Sequence, residues 1–258
     1  MRRSFDNRTV SENRRSFIVQ HELSNAPAVP DGGYASVFGP LDLAGAQMLA
    51  KGADRCVFQH PHVPSLLVKV INTENYAAYL ARRPLKRFYK QFQRAGACRV
   101  YLDELSEYVS TSAGMPGAAS TAPLARVVGV AQTSMGLGQL VEKITAEDGR
   151  IAPTLAQVFA HEGVTGAMVQ RLDAFFDALI EAHVVINDMS AKNIALGRNA
   201  DGKAGMYLID GFGVLPLIPL YAWSKRLNRR RMRRKYAHWL ARMQREYGKG
   251  PAQSTTAP

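Results

Sequence analysis

Met168, Leu172, Phe175, Leu179 and His183 recur at spacings of four, three, four and four. One stripe of that period predicts an amphipathic helix over residues 165–183, the clearest helix of the chain. Ahead of it, apolar residues come in short runs broken by turn residues, which predicts strands. Residues 41–50 read as a first strand, Cys56 to Phe58 as a second and residues 65–71 as a third, with turns at 51–55 and 59–64. Residues 73–110 read as helical, with Pro84 breaking or starting a helix. Bases and aromatics alternate there (Arg82, Arg83, Lys86, Arg87, Phe88, Tyr89, Lys90). Residues 124–130 and 137–144 add two strands, and 154–162 a short helix. Five strands before the main helix imply an α+β domain.

After that helix the pattern changes. Asp188 and Asn193 stand five positions apart, followed by the apolar run Ile194 to Leu196. Residues 197–205 are rich in Asn, Asp and Gly, which tolerate positive φ, and a second apolar run then delivers Asp210 between Ile209 and Gly211. Two antiparallel strands around such a turn bring the Asp188/Asn193 loop and Asp210 to one end of a hairpin. That arrangement suits phosphoryl transfer. The oxygens of Asn193 and Asp210 can hold Mg²⁺ against nucleotide phosphates. Asp188 can orient an acceptor hydroxyl and take its proton. The bland alternative is a capping Asp and a turn Asn in an ordinary domain. Lys69 lies inside the apolar strand 65–71, where an ammonium needs a partner or an exit to solvent. The alternative is an edge-strand lysine facing water.

Composition adds bounds. The 258 residues are 47% hydrophobic, enough for a sizeable core. No run of eighteen apolar residues predicts a membrane span, and no apolar segment follows the N-terminal arginines as in a signal peptide. Cys56 and Cys98 do not have zinc-site spacing and read as free thiols of a cytoplasmic protein. Residues 1–35 are expected to be a disordered basic leader, and 110–123 a flexible low-complexity linker.

The net charge of +12 is concentrated: residues 224–249 hold eleven bases and one acid, Glu246. Met232, Tyr236, Trp239, Leu240, Met243 and Tyr247 form a helical stripe among those bases. Two readings stand: a helix lying on an anionic membrane surface, or a terminal helix packed on its own domain with a solvated basic face. Nucleic-acid binding comes third, since no recognisable module accompanies the charge.

The segments at 51–61, Leu-Val-Lys-Val at 67–70 and Asp-Glu-Leu-Ser-Glu-Tyr at 103–108 carry a family resemblance. Asn-Asp-Met-Ser-Ala-Lys-Asn-Ile at 187–194, Ile-Asp-Gly-Phe-Gly at 209–213 and Leu-Ile-Pro-Leu-Tyr-Ala-Trp-Ser-Lys at 217–225 extend it. Over about residues 45–245 the sequence resembles the YrbL-like family, linked to the PhoP regulatory network, within the protein-kinase-like superfamily. The resemblance implies a two-lobed kinase-like fold. A five-stranded antiparallel N-lobe would span 36–144, a reduced helical C-lobe 145–223, and a basic amphipathic helix and tail 224–258. It implies ATP and Mg²⁺ as cofactors. Lys69 would hold the phosphates, positioned by Glu104 (Glu74 as runner-up), and Gly52 would sit in the phosphate-covering turn. The edge at Glu142 and Ile144 would face a purine base, Asp188 would act as base, and Asn193 and Asp210 would bind metal. Ile186 and Asn187 stand where protein kinases have His and Arg. The covering loop is glycine-poor, and no Ala-Pro-Glu motif follows. These departures point away from a protein substrate and toward a small molecule or a lipid-linked sugar at the inner face of the membrane. The alternative is a kinase-like regulator that transfers no phosphate and acts through its basic tail.

Overall fold

A computed structural model describes residues 39–52, 54–82, 95–114, 122–213 and 220–248. Strands β1 (Met48–Lys51), β2 (Arg55–Gln59), β3 (Leu66–Ile71), β4 (Val127–Thr133) and β5 (Gly136–Glu142) form one antiparallel sheet in the order β1-β2-β3-β5-β4. The fold is α+β, as the alternation of short strands and helices predicts.

Alternation along β2 and β3 sorts the side chains between the two faces of this sheet. Cys56, Phe58, Val68 and Val70 join Leu43 in a small outer cluster. Leu67 and Val141 face the main core, so Lys69 and its cross-strand neighbours Val57 and Gln139 share that inner face. Helix α1 (Thr73–Ala81) follows β3 directly. Helix α2 (Arg99–Ala113) packs against the sheet, and its buried Tyr101 hydroxyl donates to the Lys69 carbonyl at 3.0 Å.

The first strand is shorter than the expected span of 41–50. A turn at 42–46 breaks it, with the Ala44 N–H on Asp42 Oδ1 and the Ala46 N–H on the Leu43 carbonyl. Leu41 instead bridges Thr133 at the far edge of the sheet. Helix α2 runs through Ala113, so the expected linker loses its first residues to a helix. Residues 122–126 approach β4 by pairing with the end of a second hairpin, the Ala125 N–H donating to Leu208 O at 3.0 Å. The leader, most of the basic-aromatic stretch around Pro84, residues 115–121 and 214–219, and the tail beyond 248 lie outside the described residues.

The main core is helical. Helix α3 (Leu155–Glu162) starts in a capping box, the Thr154 N–H donating to Gln157 Oε1 at 2.8 Å. Helix α4 (Gly166–Glu181) buries the predicted stripe, together with Phe176 and Ile180. It stops two residues short of His183, which takes φ +59° and sets its Nε2 2.8 Å from the Tyr221 carbonyl oxygen. The hairpin β6 (Ile194–Arg198) and β7 (Ala204–Leu208) follows. A short helix α5 (Leu220–Trp223) leads into the long α6 (Lys225–Tyr247).

Helix α6 packs on its own domain. Met232, Trp239 and Met243 are buried in the main core. The rings of Trp239 and Tyr236 pack at a tilt against Phe176, whose ring centre lies 4.4 Å from that of Tyr236. The apolar stripe is therefore used internally, leaving a solvated basic face and the exposed apolar residues Leu220, Tyr221, Trp223 and Leu227. Among the described residues no helix is long and apolar enough to cross a membrane.

Candidate functional site

Two backbone segments meet where α4 ends and the β6–β7 hairpin closes. The N–H groups of Asn187 and Asp188 both donate to Gly211 O, at 2.9 and 3.0 Å. The Ile209 N–H donates to Asn193 O at 2.8 Å and the Gly213 N–H to Val185 O at 3.0 Å. The Asn187 side-chain amide bonds Gly213 O. The Asp188/Asn193 loop and the Asp210 loop are thereby fixed side by side, as the hairpin pattern predicts. Asn193 Nδ2 donates to both the carbonyl and the carboxylate of Asp188, each at 3.1 Å. Gly211 lets them approach. It has φ +78°, and a Cβ there would lie 2.6 Å from both Asn193 Nδ2 and Asp188 O. A Cβ on Gly213 would similarly meet Asp103 O at 2.8 Å.

The sheet adds cations. Lys69 Nζ donates to Ile209 O at 2.6 Å and stands 3.9 Å from Asp210 Oδ2. Glu104 joins the cluster, but its direct partner is Arg55, at 2.9 Å, not Lys69. Arg55 also bonds Asp210, so one guanidinium bridges two carboxylates. Glu74, the runner-up, lies on the surface 3.8 Å from Lys51. The sequence reading missed Arg55, although a signal existed. Cys56 and Phe58 mark the outer face of β2, so Arg55 has to point inward. Burial raises the Asp210 carboxyl, but Lys69 and Arg55 outweigh it and hold the group down at about 2. Burial pushes Glu104 up against the opposing pull of Lys69 and Arg55.

Gly52 lies in the tight turn before β2, its N–H donating to Arg55 O at 2.8 Å. Glu142 pairs with Leu66 in the β3–β5 register, about 10 Å along the strand from Lys69. Its carboxylate accepts the N–H groups of Arg126 (3.0 Å) and Ala200 (2.7 Å), which ties β5 to the second hairpin. Ile144 is buried and its carbonyl accepts the Ala152 N–H. Both residues thus already serve the fold.

A second set of supports was also invisible to the sequence reading. Helix α6 holds the carbonyls of the Asp188 loop. Asn228 Nδ2 donates to Val184 O (2.9 Å), Arg231 to Ile186 O (3.2 Å) and Lys235 Nζ to Asn187 O (3.0 Å). From α2, Glu107 accepts the Val185 N–H at 2.7 Å, and burial pushes its carboxyl up to about 7. A carboxyl raised in the folded state contributes fully below its unfolded value near 4.5, and that contribution is lost as pH rises through 7. Glu107→Gln keeps the acceptor and removes the titration. Its stability relative to wild type is therefore expected to improve by about 1–3 kcal/mol between pH 5 and 8 in paired denaturation curves. A pH-independent difference would show that Glu107 is not titrating in the fold.

The donor set suits a hard cation and phosphates. Among the described residues no cluster of three or more His, Cys, Asp or Glu could hold a metal alone. Asp210 and Asn193 offer two oxygens, and Mg²⁺ is ordinarily completed by phosphate oxygens and water. Around Lys69, Glu104 Oε2, Arg55 Nη1 and both amide atoms of Gln139 are buried without a hydrogen-bond partner. Buried polar atoms without partners are uncommon in folded proteins, and a bound polar group or water could satisfy them.

No curated protein matches the chain. A family model, described as PhoP regulatory network protein YrbL, matches residues 41–244. That span includes the sheet, both acidic loops and nearly all of α6, and the chain belongs to this YrbL family.

Proposed function

We propose that this protein is a kinase-like phosphotransferase that uses ATP and Mg²⁺ to phosphorylate a hydroxyl of a small molecule or lipid-linked sugar. The observation that carries the reading is the backbone-locked meeting of Asp188, Asn193 and Asp210, with Lys69 at 3.9 Å from the last. Lys69 binds the nucleotide phosphates. Arg55, with its planar set of donors, can serve phosphate oxygens that a glycine-rich loop would hold with backbone amides. Glu104 keeps Arg55 in place. Asn193 and Asp210 would hold Mg²⁺, which neutralises phosphate charge. Asp188 is exposed and accepts the Asn193 amide, and it would face the acceptor. The acceptor oxygen forms the new bond to the γ-phosphorus as the bond to ADP breaks, and the acceptor proton passes to Asp188.

One observation favours a second reading, a regulator without turnover. Arg55 already occupies Asp210 through an ion pair, so a metal has to compete for that carboxylate. Thermal shift separates the two. Under the phosphotransferase reading, ATP with Mg²⁺ stabilises the wild type by roughly 2–3 kcal/mol at a hundredfold excess over Kd. Asp210→Ala removes the Mg²⁺-dependent part. Absence of any shift at millimolar ATP would favour the regulator.

A further inference from the structure

We propose that the basic face of α6 is the binding site for the acceptor, and that the acceptor carries more than one phosphate group. The proposal rests on the phosphotransferase reading and names its substrate class. Arg231, Lys235, His238, Arg242 and Arg245 recur at spacings of four, three, four and three, which puts them on one face of the helix. The first two hold the carbonyls of Ile186 and Asn187. The face therefore begins at the backbone just before Asp188 and runs away from it.

A groove of about 580 Å³ follows that face. Met189, the residue after Asp188, lines it together with Arg234, Lys235, His238, Arg242 and Arg245. No acid lines it. Among the described residues the ion pairs of α6 are Arg229 with Glu181 (3.0 Å) and Arg233 with Asp177 (4.0 Å), both outside the groove. Among the described residues Arg234, His238, Arg242 and Arg245 make no ion pair, and the acid that acts on Lys235 is Asp188 itself, at the head of the groove. The buried Trp239 forms part of the wall and fixes the helix that carries them.

The spacing sets the ligand's size. From Arg234 to Arg245 the helix rises about 16 Å, longer than one phosphate can span. Guanidinium groups spread over that length suit separate phosphates held in bidentate pairs. A hydroxyl at the Asp188 end of such a ligand is the phosphoryl acceptor. Its oxygen attacks the γ-phosphorus of ATP, ADP departs, and the proton goes to Asp188. The same phosphates can belong to a soluble sugar or to a lipid head group.

The test is calorimetric titration of the full chain with fructose 1,6-bisphosphate, beside co-sedimentation with phosphatidylcholine vesicles with or without phosphatidic acid. The double variant Arg242→Glu/Arg245→Glu is compared with Lys69→Ala. Both arginines are exposed, so the fold is expected to survive, and Arg242→Gln/Arg245→Gln serves as a milder control. Binding to one probe that falls at least tenfold in the double variant, and is unchanged in Lys69→Ala, supports the groove. The probe that binds identifies the soluble or the lipid source. Failure of both probes to bind, or equal affinity in wild type and double variant, overturns the proposal. Tighter binding of a single-stranded oligonucleotide than of either probe also overturns it. Mg²⁺–ATP stabilisation is measured on the same variants. Its absence in wild type would overturn the phosphotransferase reading, whereas its presence with no groove binding would overturn only the acceptor site.

Discussion

Asp188→Asn is expected to lower phosphoryl transfer by about 10²–10⁴-fold while Mg²⁺–ATP binding stays close to wild type. The substitution keeps the size of the side chain and an oxygen that can accept the Asn193 amide. Under the phosphotransferase reading it removes the basic oxygen that would take the acceptor proton. The main-chain bonds that place residue 188 on Gly211 O do not involve the side chain, so the loop should hold its position. The measurement is ADP release under saturating nucleotide, with a groove ligand or water as acceptor. The contrast with Asp210→Ala is informative: on the same reading one variant is expected to lose turnover and keep the metal, the other to lose both. Unchanged turnover in Asp188→Asn would remove Asp188 from the base role.

Trp239→Ala is expected to destabilise the protein by about 3–5 kcal/mol, close to the whole stability of a typical domain. Trp239 is 4% exposed and packs on Phe159, Phe176 and Tyr236. Truncation to alanine leaves a cavity where α4 and α6 meet. Because the indole N–H is buried without a partner, Trp239→Phe gives up less, about 1–2 kcal/mol. Urea denaturation of the three proteins measures the difference. The alanine variant should also lose activity, since α6 carries Asn228, Arg231 and Lys235 onto the Asp188 loop. Removal of residues 224–258 would strip the same supports and so unfold the domain rather than only detach it from a surface. A truncated protein with wild-type stability would show that α6 is an appendage.

Local pattern determined much of this molecule. The period of Met168, Leu172, Phe175 and Leu179 fixed α4, because a 3.6-residue repeat buries one face of a helix and nothing else. The Asn/Asp/Gly-rich stretch at 197–205 fixed the hairpin, and with it the nearness of Asp188, Asn193 and Asp210, although residues 197–198 and 204–205 pair as strand rather than turn. The sequence put Lys69 inside an apolar strand, but both faces of that strand are apolar, and only the packing of the main core made its face the inner one. The stripe of α6 was also legible, but not its partner, since an apolar face reports only that something covers it.

The tertiary structure decided the rest. Glu104 pairs with Arg55 because two residues 49 positions apart meet only when α2 docks against the sheet. The first strand was overread because its turn at 42–46 is closed by local bonds that hydrophobicity does not register. Sequence charge marked the C-terminal segment as basic, yet its roles divide by helix face. Asn228, Arg231 and Lys235 prop a loop some forty or more residues away, and the bases farther along line a groove. Contacts between distant segments depend on how elements dock, and a single chain's local pattern carries no record of docking.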